Sequence, residues 1–213
     1  MGAILEASDL AFGYQPRVPL FAGWSATFER GEFSAVTGPS GRGKSTLLYL
    51  LGLMLAPTRG RILLDGNAVE SSSDRERAHL RAQRFGFVFQ DAALDATRSI
   101  LDNVLEGSLY RGEDPRAVTP RALALLERFE VELRADARPG QVSGGQAQRI
   151  ALCRALLGRP DVLLADEPTG NLDAVSANLV IEALHQHARD GAAVIVVTHD
   201  PVVAARCDRE ISL

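Results

Sequence analysis

Gly38-Pro39-Ser40-Gly41-Arg42-Gly43-Lys44-Ser45-Thr46 decides how the rest of this chain is read. It satisfies G-x-x-x-x-G-K-[ST], a phosphate-binding loop whose glycines let backbone N–H groups close on phosphate oxygens. Lys44 is the only lysine in the chain, and the other 22 cationic side chains are arginine. A compact ammonium on a thin stem can curl back over a glycine loop and reach the β- and γ-phosphates. A planar guanidinium is shaped instead for forked contacts with two oxygens. The apolar run Phe33–Thr37 leads into the loop as a strand, and Leu47–Leu55 follows it as a buried helix closed by Pro57. In that context the N–H groups of Gly41, Gly43 and Lys44 converge on phosphate at the positive end of a helix. Ser45 offers a hydroxyl for Mg²⁺.

The chain as a whole is that of an ordinary globular protein, 213 residues with 46% hydrophobic and 23% charged side chains. Its net charge is −4. Nucleic-acid binders carry a basic face, so the bulk charge speaks against that partner while leaving room for a local basic patch. No secretory signal is expected, since the start alternates and its first basic residue is Arg17. Met1-Gly2 is followed at position 6 by Glu6, where N-myristoylation wants serine or threonine. The longest apolar run, Leu47–Ala56, is half of the about 20 residues that a bilayer-spanning helix needs, so any membrane role comes through a partner. Cys153 and Cys207 lack metal-ligand spacing and read as small buried side chains in a reducing compartment.

Strands are predicted over Ala3–Leu10 and Leu20–Phe28, separated by Gly13-Tyr14-Gln15-Pro16 and forming part of an antiparallel sheet. Others are predicted over Arg61–Leu64, Phe85–Phe89, Val162–Ala165 and Val194–Thr198. The last two are apolar throughout, as strands of a sheet covered on both faces should be. Ala177–Arg189 is the helical crossover that such a parallel pair requires. Between about Asp91 and Gly158 the spacing is helical only, over Leu101–Leu109, Pro120–Phe129 and Gln146–Leu157, with Pro120 expected at a helix start. This is a helical lobe inserted into an α/β core. His79, His185 and His187 are expected in polar, solvated helical surroundings, and Arg75–Arg84 as an exposed helix face. Arg98, near the lobe, could help a docking surface.

Two further segments carry chemistry. Strand Val162–Ala165 ends in Asp166-Glu167, adjacent carboxylates that repel unless a cation and a water divide them. That division gives Asp166 to the metal and Glu167 to the attacking water. Val142-Ser143-Gly144-Gly145-Gln146 opens a helix, with Ser143 as N-cap and two glycines allowing close backbone approach. The chain thus has two helix-start phosphate sites, and one ATP cannot easily occupy both within a single subunit.

Taken in order, Gly38–Thr46, Gln90 after a strand, Ser143-Gly144-Gly145-Gln146, Asp166-Glu167, Pro168-Thr169-Gly170-Asn171-Leu172-Asp173 and His199 after a strand resemble the ATPase subunit of an ABC transporter over essentially the whole chain. The resemblance implies a RecA-like α/β phosphate-loop core with a mainly parallel sheet, an N-terminal antiparallel β subdomain and an inserted α-helical subdomain. It implies one ATPase domain over 1–213, with 1–90 and 159–213 as core and 91–158 as the helical signature subdomain. Two copies, or this chain and a second ATPase subunit, would meet head to tail. The loop of one, including Gly38, Ser40 and Thr46, and Ser143-Gly144-Gly145 of the other would clamp the same ATP.

The resemblance further assigns Ser45, Gln90 and Asp166 to Mg²⁺, Glu167 to the general base, His199 to the γ-phosphate and Asp173 to cross-dimer communication. It implies an aromatic stacked on adenine, either Tyr14 or Phe12. A separate transmembrane permease is the expected partner, with the chain cytoplasmic and peripheral on the inner face of the membrane. The Pro168–Asp173 run resembles the lipoprotein-release, macrolide-export and cell-division group, which extracts substrates or drives mechanical work.

Val142 replaces a customary leucine, and Asp91–Ala96 lacks the aromatic and proline residues common in relatives on the segment facing the permease. A soluble relative acting on DNA would insert coiled coils or zinc modules between Gln90 and Ser143, and neither is present. A non-hydrolytic sensor would not need Glu167 and His199, whereas a regulator of a membrane complex such as in cell division stays within the same group.

Overall fold

A computed structural model describes residues 2–15, 18–69 and 72–213. Met1, Pro16 and Arg17, which enter the readings of the start and of the first turn, lie outside the described residues. The chain opens with β1 (Ala3–Phe12), β2 (Phe21–Glu29), β3 (Phe33–Thr37) and α1 (Lys44–Leu51). Then come β4 (Arg59–Leu64), β5 (Asn67–Ala68), α2 (Asp74–Arg84) and β6 (Phe85–Val88). Helices α3 (Ile100–Arg111), α4 (Pro115–Arg128) and α5 (Gly144–Leu157) follow without an intervening strand. The rest is β7 (Val162–Asp166), α6 (Ala174–Arg189), β8 (Ala193–Val197), α7 (Pro201–Ala204) and β9 (Arg209–Ser212).

Five strands form a sheet in the order β6-β7-β8-β3-β9, parallel throughout. Because side chains alternate faces with period two, strands that are apolar at every position must be covered on both sides. They are. Phe33, Ala35, Leu163, Ala165, Val194 and Val196 pack with Val104, Leu126, Phe129 and Ile150 of the helical segment. Val36, Leu164, Ile195 and Val197 turn the other way, onto Leu47, Leu48, Leu50 and Leu51 of α1 and onto Ile4, Phe28 and Ile62. Those last residues belong to the antiparallel sheet β2-β1-β4-β5. The two sheets are tied at one end by ions: Arg30 and Arg84 each reach both Asp65, in the β4–β5 turn, and Asp161 before β7.

Several boundaries and surroundings differ from the expectations. Helix α1 starts at Lys44, three residues early, because left-handed Gly43 turns the chain directly into it. It stops at Gly52, where a Cβ would lie 2.4 Å from Phe87. Pro120 is inside α4 rather than at its start. Asp114 caps Arg116 N–H at 3.0 Å and places Pro115 at the first helical position, so the helix is already under way when Pro120 is reached. Strands β5 and β9 lie outside the predicted ones; they are two and four residues long, each with a single apolar side chain, Ala68 and Ile211.

His185 and His187 are half-buried, not solvated. The His185 ring meets Phe33 edge-on and its Nε2 donates to the Arg206 carbonyl at 2.6 Å. His187 Nε2 donates to the Pro160 carbonyl at 2.9 Å, and burial pushes its pKa down. His79 is exposed and α2 buries none of its side chains. Cys153 is buried; Cys207 is half-buried, its thiol pushed up to about 12 mainly by burial, so both are unreactive.

Phe129 is fully buried where the helical segment meets the parallel sheet. Phe129→Ala is expected to cost about 3–5 kcal/mol, read as a lower denaturation midpoint; an unchanged midpoint would show that this junction adds little.

Candidate active site

Parallel pairing carries the carboxyl ends of β3, β6, β7 and β8 to one edge of the sheet, where open α/β sheets bind ligands. Each strand delivers a segment singled out from sequence: the loop 38–46 after β3, Gln90 after β6, Asp166-Glu167 at the end of β7 and His199 after β8. Together they line an open depression of about 440 Å³ with Tyr14, Ser40, Gly41, Gly43, Lys44, Ser45 and Thr46.

Within the loop, Gly41 has φ +77° and open space where a Cβ would be. That leaves its backbone free to approach a phosphate. Lys44 bends back over the loop, its ammonium donating to the carbonyls of Gly38 at 2.8 Å and Pro39 at 3.2 Å. Gly38 packs closely on the carbonyl of Leu213. Tyr14 is 69% exposed, and its hydroxyl shares a hydrogen bond with Thr46 Oγ1 at 3.1 Å. Phe12, by contrast, is buried and meets the Tyr14 ring edge-on.

Asp166 and Glu167 have different surroundings. Asp166 is buried beside the Ser45 hydroxyl. Burial and then the Glu167 charge push its pKa up, against Ser45 and Lys44. A buried carboxylate crowded by a second acid, with a hydroxyl beside it and Gln90 at the rim, is an oxygen donor set suited to a hard divalent cation that also holds phosphate oxygens. Glu167 has φ +46°, a strained value for a non-glycine residue. Its N–H donates to Val197 O at 2.9 Å, and its carboxylate receives three hydrogen-bonding groups. Thr198 Oγ1 donates to Oε2 at 3.0 Å, His199 N–H donates to Oε1 at 3.0 Å, and His199 Nδ1 lies 2.5 Å from Oε1. The His199 ring is otherwise exposed, its remaining nitrogen free of protein partners among the described residues.

Ser143, Gly144 and Gly145 do not join this group. They form the start of α5, with Ser143 Oγ accepting from Gln146 N–H at 3.2 Å and Gln146 Oε1 accepting from Ser143 N–H at 3.0 Å. Ser143 and Gly144 are exposed, and neither lines the depression. Asp173 caps α6, accepting from the N–H groups of Val175 and Ser176 and from the Ser176 hydroxyl. These hydrogen bonds, Ser176 foremost, hold its carboxyl below the ordinary value. Thr198 went unnoticed in the sequence, where it reads as the last residue of an apolar strand. Its signal was being the one hydroxyl in that run, directly before His199.

The architecture and this edge define a phosphate-loop ATPase with a helical segment between β6 and β7. The chain belongs to the ABC transporter family, whose profile matches residues 21–170. It is 45% identical over 193 residues to the lipoprotein-releasing system ATP-binding protein LolD 1 of Caulobacter vibrioides, covering 90% of this chain and 82% of that one. Among solved structures, a bacterial ABC transporter cassette, MJ0796, determined as a dimer, superposes with a TM-score of 0.92 at 33% identity over 98% of this chain and 94% of that one. A dimer of the same cassette in a post-hydrolysis state with ADP and Pi gives 0.88 at 31% identity, with the same shares covered. The present chain is an ATP-binding, ATP-hydrolysing subunit of an ABC transporter complex.

Thr198 Oγ1 accepts from Asp200 N–H at 3.0 Å, so its own hydrogen is directed to Glu167. Thr198→Val should lower turnover about 10–100-fold, the loss of one hydrogen bond to a charged group, with KM for ATP little changed and Thr198→Ser restoring most of the rate. A variant with unaltered turnover would remove Thr198 from the site.

Proposed function

We propose that this chain powers a lipoprotein-releasing or closely related extraction system as one of two ATPase subunits bound to a separate transmembrane permease. The observation that carries the two-subunit reading is the separation of Ser143-Gly144-Gly145 from the chain's own phosphate depression. A helix start with an exposed serine and an open glycine is complete as an anion site only against a phosphate brought by another copy. Head-to-tail pairing of two copies supplies one at each of two sites, and ATP then acts as the adhesive of the dimer.

Within each site the roles follow from the surroundings. Lys44 and the loop N–H groups hold the phosphates, and catalysis is mainly positioning and charge neutralisation. Ser45, Gln90 and Asp166 would hold Mg²⁺, which supplies charge neutralisation at the transferred phosphoryl group. Glu167, fixed by three hydrogen bonds, orients the attacking water and takes its proton. His199 uses Nδ1 on Glu167 and leaves its outer nitrogen for the γ-phosphate. Tyr14, exposed beside the loop, is the adenine platform in preference to buried Phe12. Asp173 acts in cross-dimer communication through the α6 start that it caps.

Residues 91–158 act as a helical signature lobe on the core of a single ATPase domain, and Asp91–Ala96 turns toward the permease. Among the described residues no helix is long and apolar enough to cross a membrane. Placement on the inner face of the cell membrane therefore rests on the partner. The similarity to LolD favours lipoprotein release over the other members of the group.

Glu167→Gln keeps the size of the side chain and one accepting oxygen and removes the base. The variant is expected to bind ATP, hydrolyse it at least about 100-fold more slowly and elute as a dimer in ATP but not in ADP. Near-normal turnover, or a monomer in saturating ATP, would overturn the assignment. Co-purification with a lipoprotein-releasing permease tests the substrate class, and capture of a different exporter alone would redirect it.

A further inference from the structure

At the opposite, amino-terminal edge of the parallel sheet is a second depression, of about 640 Å³. Its walls come from α4, the turn after α5, the end of α6 and the residues just before β3, β7 and β8. It shares no residue with the nucleotide depression. Four arginines line it, Arg30, Arg121, Arg128 and Arg159, against two carboxylates, Asp161 and Asp190. The chain as a whole is acidic, so this concentration of positive charge runs against its composition.

The carboxylates neutralise only Arg30 of the four. Asp161 is taken by Arg30 and Arg84. Asp190 accepts from Gln186 Nε2 at 2.8 Å. Arg121, Arg128 and Arg159 make no ion pair among the described residues. The Arg128 guanidinium lies 5.6 Å from the centre of the Phe129 ring, a contact with its face that leaves its N–H edge for an acceptor. Arg121 is the most telling: Nε and one terminal nitrogen are buried without a hydrogen-bond partner, which leaves the other terminal nitrogen, also unpartnered among the described residues, as the atom open to a ligand. Burial holds its pKa below the ordinary value, and Arg159 and Arg111 add to that effect while Glu113 opposes it. Orphaned buried donors on a charged group are costly and rare in folded proteins.

We propose that this depression is a binding site for a phosphate-bearing ligand, with the phosphate held by Arg121 and Arg159 and with Arg128 at its rim. Guanidinium forks match phosphate oxygens two at a time. The cavity is within the size range of small-molecule sites and leaves room for more than an inorganic ion. An occupant would touch α4 of the helical segment and the starts of β7 and β8 together, so it would brace the helical segment against the sheet. The phosphate can belong to a soluble metabolite or to a lipid headgroup.

Pyrophosphate serves as the soluble probe, with saturating ADP present to fill the nucleotide site. It should raise the melting temperature of the full chain by about 3 °C or more at tenfold excess over its Kd. Arg121→Gln/Arg159→Gln should lose that shift and keep the shift induced by ATP. If the double variant also loses the ATP-induced shift, Arg159→Gln alone, on an exposed side chain, is read in the same way. Vesicles of phosphatidylcholine with or without phosphatidylglycerol form the second arm. Arginine-dependent sedimentation with the anionic vesicles alone supports the proposal with a lipid source. A shift and a sedimentation that the substitutions leave unchanged, a shift matched by sodium chloride at equal ionic strength, or no response in either arm overturns it.

Discussion

Everything catalytic in this chain depends on the parallel register of four strands. Val36 of β3 lies opposite Val197 of β8, Asp166 of β7 is also opposite Val197, and Val88 of β6 is opposite Ala165. The four carboxyl ends therefore stop at the same level, and the phosphate loop, the two acids, Gln90 and His199 emerge together. A slip of one residue in any pair would exchange the side chains facing α1 for those facing the helical segment and break the fitted packing on both sides of the sheet. The buried packing that sets the register is thus the same packing that sets the distances in the site.

At that edge, two neighbouring carboxylates are kept distinct by environment. Asp166 is desolvated beside the Ser45 hydroxyl and has its pKa raised by burial. Glu167 is held in a strained backbone conformation and saturated with hydrogen bonds from Thr198 and His199. One acid is suited to a cation and the other to a water, a separation of roles that paired titratable groups achieve by environment.

The motifs were legible because their chemistry is local. Lys44 in a glycine loop and Asp166-Glu167 at a strand end each point to phosphate chemistry without knowledge of the fold, whereas Ser143 before two glycines reads alone as a helix cap and becomes specific only beside them. The covered strands β7 and β8 were equally plain, their predicted spans being apolar but for Thr198. What stayed hidden depends on tertiary partners. Position 52, at the end of α1, must be glycine because Phe87 fills the space a side chain would need. Strand β9 is an edge strand with charged residues and no apolar period. His185 and His187 look solvated in sequence, yet their rings bond carbonyls brought by distant turns. Thr198 is a core hydroxyl whose purpose appears only when Glu167 is seen beside it. The arginine depression gathers residues from four separated stretches, and no spacing rule connects them.

The central claim is that each nucleotide is shared between two copies. Mixing a Lys44→Ala chain with a Ser143→Arg chain tests it most directly, each being inactive alone. A shared site predicts that the mixture regains ATPase activity, since a mixed pair holds one intact loop facing one intact Ser143-Gly144-Gly145 segment. Activity that stays at the level of the two inactive chains, although mixed pairs form, would contradict it.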